Sequence, residues 1–232
     1  MAPGTGYWGK QTATVDWCEE NYVVSYYIAE FWNTLSNVAI ILSPLLMLIV
    51  GYKQQHEKRF IYSFLAITVV GIGSLFFHMT LQYSMQLMDE LPMLWASACF
   101  IYVALMTKSK YNEDNSLLQI ALFITCVIIT VMYILVEFPE FLQVSYGLLN
   151  VTAIVTQLKL MMTVECKKRY FILGLAFYLV GFCLWNVDNI YCHHLRSIRL
   201  HTMANSAGIL FQCHAWWHIL SGFGAYLGLL FA

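Results

Sequence analysis

The chain has 232 residues, 60% of them hydrophobic and only 11% charged, and its 12 Lys and Arg against 13 Asp and Glu leave a formal charge of −1. Soluble domains carry about 25% charged residues; with a mean hydropathy of +0.65, this composition cannot cover a water-facing surface and belongs to the membrane class. The near-neutral balance argues against nucleic acid as a partner, and seven scattered cysteines without a C-x-x-C pair suit neither a disulfide scaffold nor a zinc ribbon or redox centre.

Residues 1–30 lack the basic start and apolar core of a signal peptide and read as a short extramembrane segment. A window of about 20 residues then finds seven apolar spans, approximately Phe31 to Val50, Phe60 to Leu81, Asp89 to Thr107, Leu117 to Val136, Phe141 to Met162, Tyr170 to Tyr191 and Ala204 to Ala232. Their connections are too short for a second domain, so the expectation is an all-α membrane protein with one seven-helix bundle over residues 31–232. The sequon Asn150-Val151-Thr152 falls inside the fifth span, where glycosylation is not expected.

Basic residues collect in alternate loops: Lys53, Lys58 and Arg59, then Lys108 and Lys110, then Lys159, Lys167, Lys168 and Arg169. By the positive-inside rule these loops are cytosolic, which makes the N-terminus luminal and the C-terminus cytosolic. Only Lys10, Arg196 and Arg199 lie on the opposite side, and the last two run against the rule.

Polar residues inside apolar spans are costly in lipid and point to function. In HAWWH, His214 and His218 lie four residues apart and share one helix face near the luminal start of the last span. Two histidines hydrogen-bonded within a bundle would show the same spacing, so the pair alone decides nothing. The second span ends in GSLFFH on the same side, where Ser74 and His78 also share a face. His78, His214 and His218 can therefore converge, and three imidazoles with an open position form the ligand set of a catalytic zinc. His56, His193, His194 and His201 fall in expected loops.

Asp89 stands at the expected luminal start of the third span, followed by Glu90 and Pro92. Capping explains it as well as proton transfer does, and for Ser74 helix packing competes with hydrogen bonding to an oxyanion. Asp16, Glu19, Glu20, Asn21 and Glu30 form an acidic luminal cluster that is either a solvated face or an irregular calcium site without EF-hand spacing. Cys18 and Cys192 are the two cysteines placed in an oxidising compartment and are expected to pair. Asp188, flanked by Asn186 and Asn189, needs a partner inside the bundle, and Gly222, Gly224 and Gly228 are assigned to helix packing. A haem held by paired histidines is disfavoured, because His214 and His218 share one helix face.

The segments DWCEENY, IAEFWNT, GSLFFHMTL, MQLMDELPM, LWNVDNIYC and QCHAWWHILSG together resemble the alkaline ceramidase family, closest to its phytoceramidase-type branch, from about Asp16 to the end of the chain. The resemblance implies a seven-helix hydrolase of the endoplasmic reticulum or Golgi membrane, in a superfamily shared with the adiponectin and progestin receptors. Its implied reaction cleaves the amide of a ceramide from the bilayer, whether ceramide, dihydroceramide or phytoceramide, into a sphingoid base and a fatty acid. Carried over by motif, His78, His214 and His218 hold zinc, Ser74 and Asp89 are catalytic, and Asp16, Trp17 through its carbonyl, Glu19, Asn21 and Glu30 hold calcium. The alternative from another class is a lipid-sensing receptor or adaptor with a structural zinc, which would release no fatty acid. One departure from the family pattern is that the sequence ends at Ala232 without a basic cytosolic tail, which bears on retention and stability.

Overall fold

In a computed structural model, which describes residues 5–136, 138–201 and 207–232, the chain is all-helical. Its elements are α1 (Phe31–Lys53), α2 (Lys58–Thr80), α3 (Tyr83–Met106), α4 (Ser116–Val136), α5 (Pro139–Thr163), α6 (Lys168–Ile190), α7 (Cys192–His201), a 3-10 turn over Ala207–Phe211, and α8 (Cys213–Phe231). Helices α1 to α6 are each long and apolar enough to cross a membrane. Helix α8 has 19 residues and carries His214 and His218 on its buried side. The start expected for the last span, at Ala204, and the side chain of His201 lie outside the described residues.

A chain in lipid must satisfy its backbone within its own helices, and apolar side chains can then face outward at no cost. Helix α4 is the extreme case: it buries Cys126 and Tyr133, seven residues apart on one stripe, and leaves Leu117, Ile120, Phe123 and Ile128 exposed. The other long helices form an arc in which α6 packs on α8, α8 on α1, α1 on α2, α2 on α3 and α3 on α5, while α5 and α6 meet only sparsely. Ile40, Phe64, Ile67, Val103 and Leu229 from four helices fill the core away from the histidines.

Two close approaches fix the arc. A Cβ on Gly224 would lie 2.8 Å from the Gly174 carbonyl oxygen and one on Gly174 3.0 Å from that of Gly224, so α6 and α8 touch backbone to backbone. A Cβ on Gly73 would come to 1.9 Å from the carbonyl oxygen of Met88. The second contact joins α2 to α3 one residue before Ser74 and one before Asp89.

Residues 5–30 fold over one end of the bundle. Thr12 and Ala13 donate backbone N–H groups to Leu81, whose left-handed conformation closes α2, and Ala29 and Glu30 donate to Met79 and His78. A disulfide joins Cys18 to Cys192, as the sequence led us to expect. Arg196 and Arg199 of α7 both donate to the Cys18 carbonyl, at 3.0 and 2.7 Å, and Arg199 pairs with Glu20. Two basic residues against the charge rule thus bind this segment. At the far end the basic loops join one another, through Lys58 N–H to Asn112 and Lys108 to Thr163.

Several boundaries differ from expectation. His193 and His194 sit in α7, not in a loop, because the segment after Cys192 coils into a helix that carries the two arginines. Helix α3 starts at Tyr83 with Gln82 as its N-cap, so Asp89 is an interior residue and not a cap. Gln82, Ser84 and Gln86 depress the apolar signal of that stretch; Gln86, wholly buried, is nonetheless paired with Thr14, Glu90 and Tyr133. Asp188 accepts the backbone N–H groups of Cys18 and His214, at 3.2 and 3.3 Å, and so ties α6 to the N-terminal segment and to the start of α8.

Gly73→Ala is expected to force α2 and α3 apart and to cost about 1–3 kcal/mol, the usual penalty of overpacking. A fall in the thermal unfolding midpoint of purified protein, compared with an exposed Gly147→Ala control that meets nothing within 4 Å, checks this.

Candidate metal centre and active site

His78 lies in the last turn of α2 and His214 and His218 in the first turns of α8, so the antiparallel packing of these elements brings three imidazoles to one level. Their ring centroids are 4.6 to 5.1 Å apart, and one ring nitrogen from each lies within 4.8 Å of the other two. All three are buried. Among the described residues this is the cluster of His, Cys, Asp or Glu side chains compact enough to share an ion.

The hydrogen bonds fix which nitrogens face the centre. His78 Nδ1 lies 2.5 Å from Glu30 Oε2 and His218 Nδ1 lies 3.1 Å from the Asn33 carbonyl oxygen, with Ser36 Oγ at 2.8 Å. A carbonyl only accepts, as does a carboxylate once ionised, so with Glu30 ionised Nδ1 carries the proton in both rings and Nε2 keeps its lone pair. His214 is held by stacking on Trp17, with centroids 4.1 Å apart. His78 Nε2 and His214 Nδ1 are buried without any hydrogen-bond partner. Buried ring nitrogens left unpaired are costly, and a metal ion would supply the missing partner. The donor set fits: three buried imidazoles, two of which, His78 and His218, have the opposite nitrogen tied to a carboxylate or carbonyl.

Ser74 of α2 and Asp89 of α3 meet beside the α2–α3 contact, with the Ser74 hydroxyl in hydrogen-bonding reach of the Asp89 carboxylate. Both are buried, and both line a cavity of about 460 Å³ together with His214 and His218. From there the cavity runs along α8 to Gly228 and is walled mainly by apolar side chains such as Met93, Phe100 and Leu142. The sparse α5–α6 seam flanks it.

The acidic cluster gathers against the same centre. Glu19 accepts N–H groups from Trp32 and Asn33 at the start of α1, at 2.7 and 2.8 Å, and Glu30 accepts from Trp17 N–H and Asn33 Nδ2. Asn21 donates to Asp16 at 3.2 Å, while its own buried Oδ1 has no partner. Burial, reinforced by Glu30, pushes the Glu19 carboxyl up from 4.5 to about 8, and burial, with Asp16 and Asp188 nearby, pushes Glu30 up to about 8. The residues named for calcium thus converge, with an orphaned carbonyl oxygen and carboxyls that resist being charged together. Their donors are all oxygens, the chemistry a hard cation takes, but their carboxylates are not gathered as closely as the three histidines. The Trp17 carbonyl accepts from Arg196 at 3.4 Å.

Some functional contacts escaped the sequence reading. Asn33 and Ser36, which orient His218, lie inside the first span, where buried Asn33 and Asn37 at helical spacing were the available signal. The ring of Trp17 and the carboxylate of Glu90 had none. Asn186 and Asn189 bond carbonyls of their own helix.

Comparison with known proteins gives the family. The family model described as Ceramidase matches residues 9–232. The chain is 44% identical to alkaline ceramidase 3 of Mus musculus over 236 residues, covering 100% of this chain and 88% of that protein. It is 34% identical to the alkaline ceramidase YPC1 of Saccharomyces cerevisiae, covering 95% and 76% of the two chains. Against the alkaline ceramidase of Arabidopsis thaliana it is 32% identical, covering 97% and 85%. This chain, with His214 and His218 of its histidine cluster lining an apolar cavity, belongs to the ceramidase family.

Proposed function

We propose that the protein is a zinc-dependent amidohydrolase that cleaves the amide of ceramides within the membrane, giving a sphingoid base and a free fatty acid. The observation that carries this reading is the three-histidine cluster, with unpaired buried ring nitrogens, of which His214 and His218 line the cavity that Ser74 and Asp89 also line. His78, His214 and His218 hold the ion. When bound, zinc lowers the pKa of a water and polarises the amide carbonyl. Asp89 takes the proton from the attacking water and returns it to the leaving nitrogen. Ser74 rests against Asp89 and turns its hydroxyl to the oxyanion once Asp89 is protonated and accepts less strongly.

The same reading takes α8 as a seventh span, supported by its packing along both α1 and α6. The disulfide end is luminal and the basic-loop end cytosolic, in keeping with an oxidising compartment for Cys18 and Cys192. Residence in the endoplasmic reticulum or Golgi membrane follows from the family resemblance. Lipid enters through the α5–α6 seam, where the arc of helices is least closed. Calcium is held by Asp16, Glu19, Asn21 and Glu30 with the Trp17 carbonyl, and steadies Glu30 against His78.

Fatty-acid release from a ceramide panel by detergent-purified protein tests the reaction. Asp89→Asn is expected to keep its zinc, measured by elemental analysis, and to lose about 10²–10⁴-fold in kcat, the usual worth of general acid–base catalysis. His214→Ala is expected to lose both zinc and turnover. Full turnover in zinc-loaded Asp89→Asn would remove the proton-shuttle role, and no release by folded, zinc-loaded wild type would remove the hydrolase reading.

The acidic cluster makes a separate prediction. Glu19 and Glu30 have pKa values raised from 4.5 to about 8, so the folded chain binds more protons than the unfolded one between these values. Their contribution to stability is complete below about pH 4.5 and is lost as pH rises through about 8. Chelator-treated protein should therefore melt at progressively lower temperature from pH 5 to 9, and added calcium should flatten the profile. A flat profile without calcium would count against the cluster as a cation site.

A further inference from the structure

Glu90 follows Asp89 on α3 and lines the same cavity, yet the hydrolytic steps above do not use it. Its Oε2 is held twice, by the Tyr133 hydroxyl at 2.5 Å and by Gln86 Nε2 at 3.1 Å. Gln86 is itself locked, because its Oε1 accepts the backbone N–H of Thr14 at 2.8 Å and its Nε2 also donates to the Thr14 hydroxyl. Tyr133 is 1% exposed and comes from α4, so three parts of the chain aim one carboxylate. Its Oε1 has no partner among the described residues, and the ion pairs formed there involve Glu57, Glu30 and Glu20 but not Glu90.

A carboxylate in a membrane bundle without a cation is expensive. If joining α4 to α3 were its whole purpose, a neutral glutamine would accept from Tyr133 equally well without the charge. The arrangement instead fixes one oxygen and leaves the other open to the cavity. What it would recognise is a compact cation or strong donor, and the apolar walls beyond it require that group to sit at the end of a hydrocarbon chain.

We propose that Glu90 binds the amino group of the long-chain base, as its charged ammonium in the free product. This rests on the amide-hydrolase reading for the identity of the ligand, though not for its chemistry. Of the two products of amide cleavage, only the base carries a group that a carboxylate attracts; the fatty-acid carboxylate is repelled by the same residue. Glu90 is thereby a specificity-determining residue for the amine-bearing half of the substrate.

Direct binding to the full chain in detergent tests this without turnover, using two probes: a long-chain amino-diol and the same chain carrying the diol alone. A charge-assisted hydrogen bond contributes about 1.5–3 kcal/mol, so wild type should bind the amino-diol about 10- to 100-fold more tightly than the diol. Glu90→Gln should abolish that preference while binding the diol as before, with its thermal midpoint maintained. Glu90→Asp should retain part of the preference. Tyr133→Phe should lower the midpoint but leave the preference, which separates recognition from helix joining. Equal binding of both probes by wild type would overturn the proposal whether or not any variant folds, and so would an undiminished preference in folded Glu90→Gln. Preference for the amine in a wild type that releases no fatty acid would remove the hydrolase reading and leave the site at Glu90 standing.

Discussion

The carboxylate of Glu30 is the point on which the site depends. It is wholly buried, accepts from Trp17 N–H, Asn33 Nδ2 and His78 Nδ1, and belongs to a residue whose own N–H donates to the His78 carbonyl. One side chain therefore holds Asn33 in the first turn of α1, clamps the end of α2, holds the N-terminal segment and sets the proton on His78. A buried carboxylate demands such a set of donors, and each donor is consequently placed with respect to a ring nitrogen. The histidine cluster is thus organised from outside the helices that supply it. Arg196 and Arg199 pull the same segment towards α7, and the Cys18–Cys192 disulfide makes the tie covalent.

The cavity inherits a polarity gradient from this arrangement. At the end near Glu30 it carries histidines, Ser74, Asp89 and Glu90; further along α5, Tyr146 and Asn150 still offer polar atoms, and beyond them apolar walls take over. Tyr146 lies in hydrogen-bonding reach of Tyr178, so the sparse contact between α5 and α6 has a polar bridge. The arc is therefore tight where glycines bring α6 against α8 and α2 against α3, and loose on the one flank where a lipid chain has to pass. Shape and chemistry divide the work: backbone contacts set the depth of the reacting groups, and the sparsely packed flank is where the proposed access lies.

Much of this was legible in the residues. Apolar windows located α1, α2, α4, α5 and α6 within a few residues, the last span was expected nine residues before the start of α8 at Cys213, and helical spacing with alternating topology joined His78 to His214 and His218. Cysteine placement gave the disulfide. What failed did so for physical reasons. Apolar scoring placed the start of α3 six residues late because Gln82, Ser84 and Gln86 count as polar, although Gln86 is buried and paired by contacts that only the fold creates. That error made Asp89 resemble an N-cap. Arg196 and Arg199 broke the charge rule because they serve a local ligand, the Cys18 carbonyl. Glu90 carried no signal, since a carboxylate beside another carboxylate at a helix start is common and its meaning lies in Tyr133, 43 residues away.

The depth of the centre also fits the substrate proposed for it. His78 ends α2 and His214 begins α8, so the reacting groups lie a turn or so inside one end of the bundle. From His214 to Gly228 the cavity follows α8 for 14 residues, about 21 Å at 1.5 Å per residue, most of the roughly 30 Å hydrocarbon core of a bilayer. A ceramide whose amide sits near the head-group level therefore meets the histidines with its chains still at the depth they occupied in lipid. Lifting those chains into water would cost about 0.8 kcal/mol per methylene, which over two long chains exceeds any binding energy the polar end could return. An apolar cavity open on its flank avoids that cost, because the chains pass from lipid to side chains of similar polarity. The polar groups near Glu30 are then left to discriminate at the amide alone, and a metal centre at the end of the helices, with its cavity running inward, is the arrangement that such a substrate requires.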